Sequence, residues 1–264
     1  MTSGSDSWAS GNSYDSFMGR WSRLVADKFL GWIDPQPKLH WLDLGCGTGA
    51  LTAALLEHAD PASILACDPS EPLLELARER IRDQRVAFQA AGAHDFKKPP
   101  HQLSAFVSGL VLNFIEDPRS AMESIARQLA PHGIVAGYVW DYSHRMEFLR
   151  VFWDVATALD PNAAHLDEGN RFPLCAPTPL RSLFAHIGLA NVEVTPLDVS
   201  TDFKSFSDYW EPFLGGTGPA PNYVNSLGLE ERERLEHALR AQLSPNGDRG
   251  FALVARAWAA CGST

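Results

Sequence analysis

Residues Trp41–Ala50 read WLDLGCGTGA, and they are the most informative segment of the sequence for its fold. A short apolar run ends at Leu44, three glycines follow at alternating positions, and a helix-forming segment begins after Gly49. Glycines there permit a tight turn and let a ligand approach the bare backbone. This order predicts a strand, a glycine-rich loop and a helix at the ligand-binding edge of an α/β sheet.

Short apolar runs alternate with amphipathic segments outward from this loop. The predicted strands are Leu39–Leu44, Ser63–Cys67, Val86–Ala90, Ala105–Leu112, Gly133–Trp140, Val192–Phe203 and Phe251–Ala259. The predicted helices are Tyr14–Ile33, Gly49–His58, Pro72–Arg82, Pro118–Ala130, Arg145–Leu159, 178–188, Ser205–Leu214 and Leu229–Leu243. We expect Asp117 to cap the helix that starts at Pro118. The alternation predicts an α/β fold, with a Rossmann-like, mostly parallel sheet of seven strands flanked by helices.

The pattern divides the chain into regions. Residues 1–13 are rich in Ser and Gly and predict a flexible tail, and 14–141 hold the first helix and the Rossmann-like half. Segments 142–177 and 204–247 are predicted insertions that form a small helical cap on the substrate side. Segments 178–203 and 248–264 are expected to complete the sheet. Gly215–Pro221 is either a hinge of this cap or a plain surface loop.

Composition excludes several classes of partner. The 264 residues include 32 acidic and 22 basic side chains, giving a formal net charge of −10. A chain with this negative charge repels phosphate backbones and anionic membranes. We therefore expect neither nucleic acid nor membrane as a partner. No apolar run reaches the roughly 20 residues that span a bilayer, and the N-terminus lacks the order of a signal peptide. We therefore expect a cytoplasmic protein.

The four cysteines are dispersed. Cys46, Cys67, Cys175 and Cys261 form no Cys-x-x-Cys pair. This spacing favours neither a disulfide framework nor a structural zinc site. We expect four buried or half-buried free thiols and no metal.

Charge separates the two cofactor classes that use such a glycine loop. Gly45, Gly47 and Ala50 also satisfy the G-x-G-x-x-A pattern of dinucleotide sites. A dinucleotide would press its pyrophosphate against the loop, where Asp43 adds a second anion. S-adenosylmethionine (SAM) instead carries a sulfonium and an ammonium that Asp43 offsets. Asp68, 19 residues past Gly49, ends the next strand, where it can accept hydrogen bonds from ribose hydroxyls in either class.

Four ordered motifs resemble one family. Residues 42–49 (LDLGCGTG) resemble the first motif of class I SAM-dependent methyltransferases, in particular the ubiquinone/menaquinone-biosynthesis group. The likeness continues through 68–70 (DPS) and 108–114 (SGLVLNF), and ends in 127–133 (RQLAPHG), similar to the R-x-L-K-P-G-G turn of the family. Together these motifs cover about residues 38–140.

The resemblance implies roles for the matching residues. Asp43, Gly45, Gly47 and Gly49 would contact the methionine part of SAM, with Thr48 beside it. Asp68 would hold the ribose and Pro69 would pack near the adenine. Gly92 and Ala93 fall where the family recognises the adenine ring, and Ser108 and Leu110 fall beside the sulfonium. Many members have an acid where this chain has Gly92, so backbone groups alone would recognise the adenine here.

The residues after the strands suggest how an acceptor is held. Methyl transfer from a sulfonium is an in-line displacement that depends on alignment, and it needs a base only if the acceptor loses a proton. His144 is either that general base or a solvated loop histidine. Asn113 either orients an acceptor oxygen or completes a strand end. Arg20 either pairs with the SAM carboxylate or is a solvated helix residue.

Aromatic residues favour a flat or hydrophobic acceptor. We expect Tyr14, Trp140 and Trp210 to line the acceptor site. The sequence thus predicts a SAM-dependent methyltransferase acting on a small organic, aromatic or hydrophobic molecule. Two alternatives stay open: an NAD(P)-dependent oxidoreductase, and a SAM-binding protein that transfers no methyl group.

Overall fold

The computed structural model of the chain describes residues 18–215, 218–244, 247 and 249–264. Strands β1 to β7 are, in order, His40–Leu44, Ser63–Asp68, Val86–Ala90, Leu103–Gly109, Leu129–Trp140, Ala190–Phe203 and Phe251–Ser263. Helices α1 to α10 are Arg20–Ile33, Ala50–His58, Glu71–Arg80, Pro118–Ala126, Glu147–Leu159, Glu168–Arg171, Pro177–His186, Phe206–Trp210, Pro219–Ser226 and Leu229–Leu243. Short 3₁₀ helices lie at Leu112–Phe114, Pro161–His165 and Glu211–Gly215.

The seven described strands form one sheet in the order β3-β2-β1-β4-β5-β7-β6. Strands β1 to β5 pair in parallel, and β7 runs antiparallel to β5. The predicted α/β class and mostly parallel sheet are confirmed. The chain runs outward from β1 through β2 to β3, then returns to place β4 on the other side of β1. Open α/β sheets bind ligands at such a switch point, so the loop after β1 is in the expected place.

Burial along the strands explains their composition. Strands β1, β2 and β4 are buried over almost their whole length, whereas the edge strand β3 is half-buried. Parallel strands covered by helices on both faces are expected to be apolar throughout. Helix α4 begins as predicted, because the Asp117 side chain accepts a hydrogen bond from the amide of Ser120 and Pro118 lies in the first turn.

The end of β4 differs from the prediction. The strand ends at Gly109 rather than at Leu112, because Leu110 has a φ of 64° and a 3₁₀ helix follows. The apolar residues up to Leu112 predict that the strand continues. A residue with left-handed backbone, however, cannot continue the hydrogen-bond ladder of a strand. The amide of Leu110 donates to the carbonyl of Tyr138 on β5 (2.7 Å), which holds this bend.

The start of β5 also differs. The predicted helix Pro118–Ala130 ends at Ala126, and β5 already begins at Leu129. The C-terminal residue explains the change: Thr264 exchanges backbone hydrogen bonds with His132 and Gly133, and its hydroxyl donates to the carbonyl of Ala130 (3.0 Å). A partner 131 positions away in sequence therefore overrides the local helical pattern.

The glycine loop after β1 needs left-handed backbone at all three glycines. The φ angles of Gly45, Gly47 and Gly49 are 74°, 53° and 90°. A Cβ on Gly45 would lie 2.4 Å from Val111, whereas a Cβ on Gly47 would meet nothing within 4 Å. Gly45 is thus required by packing, and Gly47 faces open space.

The chain divides into two compact units. The sheet unit comprises Ser22–Trp140, Leu174–Leu197 and Ala257–Thr264. The described residues of the helical unit are 18–21, 141–173 and those of Asp198–Arg256. The division between the two units falls within strands β6 and β7. The predicted tail at 1–13 lies outside the described residues.

Aromatic side chains fill the core of the helical unit. Phe152 stacks on Phe213 with ring centroids 4.6 Å apart, and Tyr209 donates to the carbonyl of Phe148 (2.9 Å). The segment predicted as a hinge, Gly215–Pro221, is in part helical, because α9 begins at Pro219. Residues 216 and 217 of that segment lie outside the described part.

A carboxyl group is buried in the same unit. Glu168 on α6 is almost inaccessible to solvent and accepts a hydrogen bond from the Trp153 indole (2.5 Å). Burial raises its pKa from 4.5 to about 7, although the indole and a backbone amide act in the opposite direction. Because the folded-state pKa exceeds the unfolded one, this group favours folding less and less as the pH rises from 4.5 to 7.

Glu168→Gln is expected to abolish this decrease in the free energy of unfolding with rising pH. The amide keeps an acceptor for the Trp153 indole and carries no charge, so the variant should gain up to about 3 kcal/mol over the wild type at pH 8 and much less at pH 5. Urea unfolding at the two pH values measures the difference. Glu233→Gln, at an exposed position on α10, serves as the control. An equal effect of Glu168→Gln at both pH values would contradict the assignment.

Substitutions in the glycine loop should separate packing from backbone strain. Gly45→Ala is expected to lower the free energy of unfolding by about 2–4 kcal/mol, because it adds an overpacking cost to the left-handed backbone. Gly47→Ala should cost only about 1 kcal/mol, since its methyl group has room. Chemical denaturation of both variants tests this order, and a larger loss for Gly47→Ala would refute it.

Candidate functional site

Asp68 ties the glycine loop to the end of β2. Its Oδ2 accepts a hydrogen bond from the amide of Gly47 (2.9 Å) and its Oδ1 accepts one from the amide of Ser70 (2.8 Å). The amides of Gly45 and Cys46 donate to the carbonyl of Cys67 on the same strand. Each oxygen of Asp68 retains a second lone pair, so the carboxylate can hold the loop and still accept from a ligand.

Asp43 is enclosed where β1 meets the loop. Its side chain has no exposed surface, Oδ2 accepts a hydrogen bond from the Thr52 hydroxyl (2.6 Å), and Oδ1 has no partner among the described residues. Burial raises the pKa of Asp43 to about 7; the Thr52 hydrogen bond lowers it and the charge of Asp68 raises it. A buried carboxylate with an unsatisfied oxygen is costly, so this position favours a cation or a proton.

Burial disfavours the reactive form of the thiols beside these acids. Burial raises the pKa of Cys46 well above its usual range and that of Cys67 to about 12, and the charges of Asp43 and Asp68 act in the same direction. The thiolate is the reactive form of cysteine. Cys46, Cys67 and Cys175 are buried and Cys261 is half-buried, as expected.

The residues predicted beside the adenine follow β2 and β3. Pro69 is exposed, and Gly92 and Ala93 are half-buried. The amide of Ala91 donates to the carbonyl of Asp68, which links the two strand ends. The amide of Gly92 donates to Asp95 Oδ1 (2.6 Å). Asp95 thus adds a carboxylate to the position where backbone groups alone were expected to recognise the adenine. Its position three residues after Gly92 is the feature of the sequence that could have predicted this contact.

The end of β4 carries three further predicted residues. Ser108 is fully buried and donates to the carbonyl of Leu44 at the end of β1 (3.0 Å). Leu110 is the left-handed residue of the bend. Asn113 lies on the 3₁₀ helix, and its Nδ2 is buried without a hydrogen-bond partner among the described residues. Asn113 is therefore a donor at the ligand-binding edge that the protein leaves unused.

Arg20 is engaged within the helical unit. Its Nη1 donates to Asp208 Oδ1 (2.9 Å), and its guanidinium lies 4.2 Å from the ring centroid of Trp21 and 4.8 Å from that of Phe203. Neither alternative from the sequence anticipates this pairing. Cation–π contacts on both rings and an ion pair stabilise this arrangement.

The candidate base is exposed. The His144 side chain is 79% accessible, its amide donates to Asp141 Oδ1 (3.2 Å), and its Nδ1 lies 3.5 Å from the same oxygen. Asp141 itself is buried, which leaves the imidazole as its solvent-facing partner. This geometry resembles the solvated loop histidine of the two sequence alternatives.

The aromatic candidates do not share one environment. Trp140 ends β5 and is only 1% exposed. Trp210 belongs to the helical unit, is 5% exposed, and stacks near Phe206 and Phe213. Tyr14 lies outside the described residues. The indoles of Trp140 and Trp210 are thus packed against protein.

Two residues of the site escaped the sequence interpretation. Thr52 is a helix residue without any motif of its own, and Asp95 lies in an irregular segment.

In the described ranges, no three His, Cys, Asp or Glu side chains converge to hold a metal ion. Of the described helices, none combines the length and the apolar character that crossing a membrane requires.

Comparison with known proteins agrees with this geometry. Residues 42–137 match the family model described as a methyltransferase domain. The chain is 34% identical over 138 residues to a trans-aconitate 2-methyltransferase of Methylobacterium nodulans and 32% identical over 133 residues to a malonyl-[acyl-carrier protein] O-methyltransferase of Halorhodospira halophila. These matches cover 50% and 48% of the chain, and 52% and 44% of the relatives. The chain thus spans about half the length of these curated relatives.

A solved structure supports the fold. A Haemonchus contortus phosphoethanolamine N-methyltransferase 2 superposes with a TM-score of 0.55 at 14% identity, over 96% of this chain and 56% of that one. The match to the family model begins within β1, before the glycine loop, and ends within β5. It therefore spans the strands that carry Asp43, Asp68 and Ser108. Residues 42–137 therefore match the methyltransferase domain that the family model describes, within a fold that the solved structure shares.

Proposed function

We propose that the protein binds SAM at the glycine loop and transfers its methyl group to a small organic acceptor. The observation that carries this proposal is the buried Asp43 carboxylate, whose Oδ1 has no partner among the described residues. Asp68 places a second carboxylate beside the same loop. Two acids suit a cofactor with a sulfonium and an ammonium, and they disfavour the pyrophosphate of a dinucleotide.

The residues of the loop fit the parts of this cofactor. Gly47 leaves open space at the backbone, where a carboxylate can approach the start of α2 near Thr48. Gly45 and Gly49 keep the turn tight. Asp68 retains lone pairs for ribose hydroxyls, and Pro69, Gly92 and Ala93 form the proposed adenine surface. Ser108 and Leu110, at the end of β4, complete the side proposed for the sulfonium.

Orientation is the proposed source of catalysis. When bound, SAM supplies an electrophilic methyl group. The unused Nδ2 donor of Asn113 is proposed to orient an oxygen of the acceptor. His144 is exposed, so we assign it general-base chemistry only for an acceptor that must lose a proton.

A hydrophobic or aromatic acceptor is the finer proposal. The helical unit is rich in aromatic side chains, among them Trp210, Phe206 and Phe213. Tyr14, Trp140 and Trp210 are proposed to line the acceptor site. For Trp140 and Trp210, this requires the buried indoles to become accessible when the acceptor binds. The curated relatives act on trans-aconitate and on malonyl-[acyl-carrier protein], so an acceptor panel should include carboxylates beside quinols and phenols.

Ligand-dependent stabilisation tests the cofactor. We expect SAM and S-adenosylhomocysteine to raise the melting temperature, with about 2.7 kcal/mol of stabilisation at a hundredfold excess over Kd. NAD and NADP should leave it unchanged. Stabilisation by NAD or NADP alone would favour the oxidoreductase. SAM binding without formation of S-adenosylhomocysteine across the acceptor panel would favour a binding protein without methyl transfer.

Asp68→Asn is expected to weaken SAM binding by about 10- to 100-fold, because hydrogen bonds to a charged group contribute about 1.5–3 kcal/mol. Isothermal titration calorimetry measures the affinity. Asp60→Asn is the matched control: it removes the same charge from an exposed ion pair with Lys38, before β2 rather than after it. Unchanged affinity in Asp68→Asn, or an equal loss in Asp60→Asn, would contradict the proposed ribose contact.

A further inference from the structure

Thr52 and Asp43 form an isolated buried pair. They lie on α2 and β1, nine positions apart, and neither side chain has exposed surface. The Thr52 hydroxyl has a single proton and donates it to Asp43 Oδ2 at 2.6 Å. The bond therefore fixes one carboxylate oxygen and leaves the other, Oδ1, as the free acceptor.

The groups around this pair are acidic or uncharged. Asp68 on β2 is the charged neighbour, and the thiols of Cys46 and Cys67 lie on the loop and on β2. On the other side, β4 pairs Val107 with Asp43 and carries Ser108 next to it, which bring no charge. Within the described ranges no lysine or arginine forms an ion pair with Asp43. The positive charge that this carboxylate lacks must come from a ligand or from a proton.

We propose that Thr52 is a positioning residue for SAM binding: it holds Asp43 so that one free oxygen is shared, in competition, by the cationic cofactor and a proton. This inference rests on the proposed function and goes beyond it, because it makes cofactor affinity depend on pH through one buried pair. Thr52 acts through Asp43 and is not a catalytic residue.

The direction of the pH dependence follows from the charge on Asp43. With a pKa of about 7 in the free protein, Asp43 is protonated at lower pH and attracts the cation only after it loses that proton. SAM affinity should therefore fall as the pH drops below 7, by up to about tenfold per pH unit, and binding should release about one proton at pH 6. Calorimetry in buffers of different ionisation enthalpy counts that proton.

Thr52→Val and Thr52→Ser form a matched pair. Valine keeps the shape and removes the hydroxyl, so the hydrogen bond that lowers the pKa of Asp43 is lost. SAM affinity at pH 7 should fall about tenfold, and the pH at which affinity begins to drop should move upward. Serine keeps the hydroxyl and should retain the wild-type pH profile. A pH profile in Thr52→Val that equals the wild type, or a loss of the same size at every pH, would overturn the proposal.

Asp43→Asn provides a second test of the proposal if the Thr52→Val variant does not fold. The amide oxygen still accepts the Thr52 hydrogen bond but cannot titrate, so proton release at pH 6 should disappear and only the titration of the ligand itself should remain. Proton release as in the wild type would overturn the proposal. Failure of the proposed function is a separate result, since the wild-type protein would then bind neither SAM nor S-adenosylhomocysteine at any pH.

Discussion

An unpaired carboxylate inside the protein is the constraint on which the site depends. Asp43 is buried with one hydrogen-bond donor, Thr52, and with the like charge of Asp68 nearby. Desolvation of an acid costs free energy that the apolar sheet around it must offset. The arrangement is destabilising for the protein alone and favourable once a cation is present. This is the balance expected where a site is organised before its ligand arrives.

The backbone around that carboxylate is fixed from two directions. Asp68 receives the amides of Gly47 and Ser70, which hold the loop against the end of β2. Val111 fills the space beside Gly45, and Ser108 donates to the carbonyl of Leu44, which holds the loop against the end of β4. The two neighbours of β1 therefore meet one short turn, at the point where the sheet reverses its order. Reactive thiols have no part in this arrangement, since burial keeps Cys46 and Cys67 protonated.

The helical unit is held together by aromatic packing and ion pairs. Its core is aromatic, with Phe152 and Tyr209 both in contact with Phe213, and two of its arginines are paired at short range. Arg20 is held by Asp208 and two rings, and Arg150 lies 2.7 Å from Asp167. The buried Glu168 differs from these pairs, because its side-chain hydrogen-bond partner is an indole rather than a cation. The titration of Glu168 couples the stability of this unit to pH near neutrality.

Local patterns in the sequence are enough to predict the seven strands, the glycine loop and the two acids at the strand ends: apolar runs, turn glycines and the spacing from Gly49 to Asp68. The end of β4 and the start of β5 depend instead on tertiary contacts, since Tyr138 and Thr264 supply the hydrogen bonds there. Tertiary contacts also pair Arg20 with Asp208, 188 positions away, and Thr52 with Asp43. Such contacts leave no periodic signal in the chain, because folding alone brings the partners together.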